Sequence, residues 1–327
     1  MNSVTERIYQ SYVDRYGSSW LRPHLGASQL GLPCPRALWL HLHHAMIPKS
    51  SMDGRILRLF QSGNLQEPRI LEDLKNIGVT ILDTQTHFVE PDCPIISGSC
   101  DGIAVGFPEY PDEQVLLEFK TSNTKGFKKI VETGIKLEKP VHYIQMNVYM
   151  HWANLKVGLY VVVCKETDEI YTEWVNYEKE VAILALDRAK AIVRSNQIPP
   201  KLVGKHGSSE NSKECMFCDY KDLCYHNSIP VVNCRTCLHC ECVNDKFDCA
   251  RYSEDFDDTC IQTACEYHVF NPYILNWDVA DIDVENEHII WKSPYGGIYD
   301  SSLLQSSDFE QKYQKEKEAY LDVIQLH

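Results

Sequence analysis

The chain has 327 residues, enough for one large or two medium domains, and its 44% apolar and 24% charged residues are the balance of an ordinary globular protein. That composition excludes disorder as the dominant state, and no apolar run approaches the roughly 18 residues that a membrane-spanning helix needs. A formal charge of -14 works against long-range attraction of a polyanion, so a nucleic-acid role requires a local basic groove.

The first residues, MNSVTERIYQSYVDRYG, mix charges with aromatics and lack a cationic flank followed by an apolar block. They do not read as a secretion signal, and a cytoplasmic, intracellular protein is expected. The first ninety residues look mainly helical, with apolar residues at mixed three and four spacings over Gly54 to Asn76. From Val79 the pattern turns to strands at about Val79 to Val89, Ile95 to Val105 and Val115 to Thr121, separated by Pro, Gly and Asp clusters. A helix over Val141 to Leu155 follows, then strands at Val157 to Cys164 and Ile170 to Tyr177. A helix over Glu178 to Ser195 ends before Pro199 and Pro200. This order predicts a mixed α/β domain around a central sheet.

After Pro200 the composition shifts. Residues 204–214 form a polar connector, and from Cys215 the chain is cysteine-dense, with little periodic structure expected until about Tyr267. The end of the chain, FEQKYQKEKEAYLDVIQLH, predicts a helix, and no internal repeat is visible. A boundary at Ile229 or Pro230 divides the expected catalytic domain, 1–229, from a C-terminal module and tail, 230–327.

Asp101 ends one predicted strand, and Glu118, Phe119 and Lys120 lie on the next. Residues two apart share a strand face, so Glu118 and Lys120 point together and a neighbouring strand brings Asp101 beside them. Two carboxylates with open positions suit Mg²⁺ or Mn²⁺, and an ammonium beside them orients water or stabilises transition-state charge, the equipment of phosphodiester hydrolysis. An exposed amphipathic strand carries the same E-x-K pattern. Gln145 and Tyr149 share a helix face at four spacing, and Gly63 and Glu67 have that spacing upstream.

In this order, Gly63 and Glu67, Asp101, Glu118-Phe119-Lys120, and Gln145 with Tyr149 resemble the PD-(D/E)xK nucleases of the RecB type, including lambda exonuclease and the CRISPR-adaptation nucleases. The resemblance covers about residues 20–226 and departs from the pattern at Cys100, where the superfamily has Pro. It implies a restriction-endonuclease-like core, a mixed central sheet flanked by helices. It further implies that Asp101, Glu118 and the Phe119 carbonyl hold the metal, that Lys120 is catalytic, that Gln145 positions water or substrate, and that Glu67 supports the metal through a water.

Cys215, Cys218 and Cys224 form a CxxC with a third cysteine, and Cys34 lies far upstream. Four such thiolates fill the ligand positions of a [4Fe-4S] cluster, and zinc accepts the same set. The iron-sulfur nucleases of the RecB type resemble this arrangement, with one cysteine before the core and three after it, which favours the cluster. Its expected role is structural closure of the nuclease domain.

A second set runs from Cys234 and Cys237 through Cys240, Cys242, Cys249 and Cys260 to Cys265 and His268. Two ligand pairs about thirty residues apart suit a structural Zn²⁺ worth on the order of 10 kcal/mol to a small domain. Cys234, Cys237, Cys249, Cys265 and His268 are the expected ligands, with the choice of four left open. A disulfide-rich module is the alternative. His226, His239 and His41 to His44 lack a second spaced pair and are expected at the surface or in packing. The acidic run Ser253 to Asp258 repels phosphate, so this module is expected to bind a protein partner or to act as architecture.

DNA is the expected substrate. Lys125, Lys128 and Lys129 follow the catalytic strand, and Arg22, Arg36, Arg55, Arg58 and Arg69 lie in the helical N-terminal part. Ser28 resembles a position that exonucleases of this kind use near a 5′ phosphate, and Ser28, Arg36 and Tyr149 are the expected DNA contacts. Trp20, Trp39, Tyr143 and Trp152 are expected to pack more than to stack on bases. The resulting expectation is a metal-dependent DNA exonuclease of recombination, repair or phage DNA metabolism. The alternative is a non-catalytic DNA-binding or assembly protein on a nuclease fold that recruits partners through its zinc module, and an RNA-directed nuclease shares the same chemistry.

Overall fold

The computed structural model describes residues 3–18, 21–202, 210–256 and 258–325. Trp20, residues 204–209 of the expected connector and Asp257 of the acidic run lie outside the described residues. The chain divides into two compact units, Met1–Pro33 with Lys49–Ala191 and Cys34–Pro48 with Ile192–His327.

The first unit begins with α1 (Val4–Tyr16), whose Ser3 side chain and Glu6 carboxylate satisfy each other's backbone amides. The short strand β1 (Leu25–Gly26) follows, whereas α2 (Pro35–Leu42) belongs to the second unit. The helix expected over Gly54 to Asn76 is two helices, α3 (Gly54–Asn64) and α4 (Gln66–Asn76). Pro68 has no amide proton with which to continue the α3 ladder, which accounts for the break at Leu65.

The strand expected over Val79 to Val89 is also two, β2 (Thr80–Thr84) and β3 (His87–Val89). Ile95 to Val105 likewise becomes β4 (Ile96–Ser99) and β5 (Gly102–Val105). The two interruptions are adjacent: Gln85, at φ 55, donates its amide to the Asp101 carbonyl at 3.4 Å, and the Cys100 amide reaches Thr86 at 3.1 Å. A break of this kind changes the face to which later side chains belong. It sends β3 and β4 into a sheet of order β1-β4-β3, while β2 and β5 join a larger one.

That larger sheet adds β6 (Val115–Ser122), β7 (Val157–Cys164) and β8 (Ile170–Asn176) in the order β2-β5-β6-β7-β8. β6 and β7 run parallel and the other neighbours antiparallel. A parallel pair needs a long crossover, supplied here by α5 (Thr124–Thr133), α6 (Ile135–Glu138) and α7 (Pro140–Ala153). Every residue of β7 is buried, as a strand covered on both faces must be. On one face Ile70 and Leu74 of α4 pack with Leu117, Phe119, Leu159 and Val161. On the other, Gly158 leaves room for Met146 of α7, since an added Cβ would fall 2.8 Å from the Met146 methyl. The helix expected over Glu178 to Ser195 is α8 (Lys179–Val193). The expected mixed sheet flanked by helices is therefore present.

In the second unit, α9 (Lys213–Met216) and α10 (Lys221–Tyr225) carry Cys215 and Cys224, with Cys218 between them. The stretch expected to lack regular structure contains a hairpin, β9 (Cys240–Val243) and β10 (Lys246–Cys249), with β11 (Glu254–Asp255) added beside β10. Asn244 and Asp245 both take positive φ, 49 and 60, which matches the twist of a two-residue hairpin turn. A further sheet, absent from the sequence expectation, comprises β12 (Asp278–Asp283), β13 (His288–Lys292) and β14 (Ile298–Asp300). It shares a core with the expected tail helix, α11 (Ser306–Gln325), through Trp277, Trp291, Tyr299, Phe309 and Tyr313. Among the described residues no two cysteines form a disulfide, and no helix is long and apolar enough to cross a membrane.

Candidate active site

The polar centre of the first unit is built on β6. Register places Leu117 opposite Gly102 of β5, so Asp101 comes alongside the next residues of β6. Its Oδ2 accepts the Phe119 amide at 2.6 Å. Lys120 Nζ donates to Glu118 Oε1 and to the Phe119 carbonyl, the latter at 3.2 Å. The ammonium thus engages two of the oxygens expected to bind a metal. Glu118 is fully buried, and its Oε2 has no hydrogen-bond partner among the described residues.

Burial pushes the Glu118 carboxyl up to about 7, against the pull of Lys120 and with a further push from Asp101. Asp101 is raised by burial, opposed by Lys120 and the Phe119 amide, and Glu67 is raised by burial and then by Asp101. Burial works against the charge on Lys120, yet Glu118, Asp101 and Glu67 together hold its ammonium above the ordinary lysine range. The four groups therefore form one coupled cluster, three carboxyls around one cation.

One cavity borders this cluster, and a second is lined by Gln85, the partner of Glu67. The first, of about 160 Å³, is lined by Gly63, Glu67, Phe119, Lys120 and Thr121 among others, so Gly63 and Glu67 meet there although they belong to separate helices. The second, about 400 Å³, is lined by Arg22, His24, Ser28, Gln85, Gln145 and Tyr149 with neighbouring backbone. Gln145 is buried with its Oε1 unpartnered, and the Tyr149 hydroxyl donates to the Ser99 carbonyl at 2.8 Å. Gly98 makes this approach feasible, because a Cβ there would lie 2.8 Å from that hydroxyl. Sequence reasoning missed Gln85, whose Nε2 donates to Glu67 Oε2 at 3.2 Å, and His24 and His87, which also line the second cavity. No local sequence signal marks them, since their placement follows from the kink at Gln85.

Lys125, Lys128, Lys129, Arg22, Arg55 and Arg58 are exposed, whereas Arg69 is held by Asp168 through bonds of 2.8 and 2.6 Å. The aromatic residues are engaged internally: Tyr143 donates to Glu178 at 2.6 Å and Trp152 to Glu90 at 2.8 Å. In the second unit Trp39 is 1% exposed and donates to the Ser195 carbonyl.

Arg36 also belongs to the second unit. It is 8% exposed, bonds the Pro199 carbonyl at 3.1 Å and lies against Cys224, and its Nε is unpartnered among the described residues. The structure thus places it with the first cysteine set. Cys34 caps the N-terminus of α2. Burial pushes the Cys218 thiol up to about 11, with Cys224, Cys34 and Cys215 adding to the shift, so these four side chains are neighbours. Cys224 is raised by burial and drawn down by Arg36 and Lys201.

The second set surrounds a small cavity lined by Cys234, Cys237, His239, Cys249, Cys265 and His268 among others. Burial pushes the Cys234 thiol up to about 12, and Cys260 adds to the shift. His43 and His44 are buried, as expected of packing residues, whereas His239 is buried beside the expected ligands. Among the described residues, no group of three or more His, Cys, Asp and Glu side chains is arranged as it stands to hold a metal ion.

No family model matches the chain, and no curated protein does. Among solved structures it is similar to SSO0001, with 15% identity over 68% of this chain and 96% of that one and a TM-score of 0.43. It is similar to an alkaline exonuclease from Laribacter hongkongensis, also solved in complex with dAMP, at 16% identity over 55% of this chain and 90% of that one, with TM-scores of 0.38 and 0.37. A phage-related exonuclease from Haemophilus somnus 129PT is similar at 17% identity over 41% and 68%, with a TM-score of 0.31. Likeness at this level says nothing about chemistry.

Proposed function

We propose that the chain is a metal-dependent deoxyribonuclease, an exonuclease of DNA recombination, repair or phage DNA metabolism. In this reading residues 1–229 form a nuclease domain closed by a [4Fe-4S] cluster, and residues 230–327 form a zinc-bound module and tail that binds a protein partner. The observation that carries the reading is the cluster of Asp101, Glu118, Lys120 and Glu67, with Glu118 fully buried and a cavity lined by Glu67 and Lys120.

The donors fit a hard divalent cation. Glu118 Oε2 is a buried, unpartnered carboxylate oxygen, and burying such an oxygen without a partner costs about 1–3 kcal/mol or more. Asp101, Glu118 and the Phe119 carbonyl would hold Mg²⁺ or Mn²⁺, with Glu67 supporting it through a water. Such a cation neutralises phosphate charge and favours ionisation of the attacking water. Lys120 keeps its proton, because three carboxyls outweigh its burial, so it acts as a fixed cation that orients water and stabilises phosphoryl charge. Gln145 positions water or substrate from the floor of the larger cavity, and Ser28 and Tyr149 face a DNA end there.

The first cysteine set fits a cluster by charge. A cluster held by four thiolates is anionic, and Cys34 at a helix N-terminus, Lys201 and the buried Arg36 guanidinium supply the compensating positive field. Arg36, expected at a DNA phosphate, takes this supporting role instead. At the second set, four thiols and the unpartnered Nδ1 of buried His268 are donors that Zn²⁺ favours.

Anaerobically purified protein, given end-labelled linear DNA and closed circular DNA with Mg²⁺ or Mn²⁺, is expected to degrade the linear form and to stop on chelation. Protein that keeps its iron and zinc but cleaves neither form would replace this reading by that of a DNA-binding assembly protein.

A further inference from the structure

In the second unit the cavity ringed by Cys234, Cys237, His239, Cys249, Cys265 and His268 measures about 20 Å³, room for a single ion or water. Sequence spacing alone sets His239 aside, but its side chain is 8% exposed and that of His268 6%. His239 Nε2 and His268 Nδ1 are both buried and without a hydrogen-bond partner among the described residues. A buried nitrogen left unsatisfied is costly, and here two of them border one small space. Glu287 Oε2 stands 3.7 Å from His239 Nε2, beyond hydrogen-bond reach, and is engaged by Arg251. The other nitrogen of His268, Nε2, lies 3.2 Å from Thr236 Oγ1, which fixes the ring and leaves Nδ1 as its donor. Metal-binding histidines are commonly held in this way, one nitrogen on the metal and the other on an outer partner.

We propose that the zinc of this module is held by two imidazoles and two thiolates: His239 Nε2, His268 Nδ1, Cys237 and one further thiol of the cavity. The assignment rests on the zinc reading above. Cys237 is the central thiol, 7% exposed and neighbour to both Cys265 and Cys249. A single ion satisfies both orphaned nitrogens at once, which water bound to one of them does not. The side chains as they stand are not drawn onto a metal, and binding of the ion brings them in. With Cys249 as the further thiol, the ion would also pin both ends of the hairpin, since β10 ends at Cys249 and His239 precedes β9.

Zinc content and zinc-edge X-ray absorption of the intact protein test this. One zinc per chain with two sulfur and two nitrogen neighbours is expected, and His239→Ala should lose one nitrogen neighbour or release the zinc. The wild-type spectrum counts nitrogens by itself, so the test survives a variant that fails to fold. Four sulfur neighbours, or a spectrum unchanged by His239→Ala, would overturn the assignment and leave the zinc reading standing. Wild-type protein without zinc would overturn both.

Discussion

At the scale of single residues, Glu118 is fully buried, with one oxygen on Lys120 and the other without a hydrogen-bond partner among the described residues. Its carboxyl titrates at about 7 in the fold, against an ordinary value of 4.5. The folded protein therefore holds a proton that the unfolded chain releases. The stability this group contributes is complete below the unfolded value and is lost as pH rises through the folded one. Glu118→Gln removes that dependence. Without added divalent cation, the melting temperature of the variant relative to wild type should increase from about pH 5 to about pH 8. A difference that stays flat over that range would show that Glu118 is not held protonated. A divalent cation should oppose the same proton, so its presence should shrink the difference.

At the scale of elements, the tail helix and the β12–β14 sheet depend on one another. Phe309 is fully buried among Trp291, Tyr299 and Phe270. Phe309→Ala should cost about 3–5 kcal/mol, read by denaturant unfolding followed through tryptophan fluorescence, and a cost under about 1 kcal/mol would mean that α11 does not hold the sheet. The helix was legible in FEQKYQKEKEAYLDVI, but its sheet was not, because β12 is exposed along its whole length and shows no buried alternation. The same limit explains the strands near the site. Val79 to Val89 reads as one β-rich run, and only the positive φ at Gln85 splits it between two sheets. The E-x-K alternation on β6 was legible because a strand period is local. Gln85 beside Glu67 and His239 beside the second thiol set were not, since both meetings depend on how distant segments turn. Arg36 shows the reverse case: its sequence neighbourhood is basic and helical, yet Pro199 and Cys224 take up its guanidinium.

At the scale of the whole molecule, charge and chemistry oppose each other. A chain of formal charge -14 must bind a polyanion through local groups, and in the proposed reading its cluster of three carboxyls is the place where phosphate reacts. In that reading a cation must offset the carboxyls, so metal dependence and the fixed charge on Lys120 are proposed as two parts of one requirement. Lys120→Ala isolates the second part. If Lys120 stabilises charge that develops only in the reaction, as proposed, its loss should leave binding of linear DNA near the wild-type level and lower cleavage by about 10²–10³-fold with Mg²⁺ or Mn²⁺ present. That comparison, binding and cleavage of the same end-labelled linear DNA by wild type and Lys120→Ala, tests the account most directly. Retained binding with lost cleavage is the predicted result, and a variant that cleaves as fast as the wild type would contradict it.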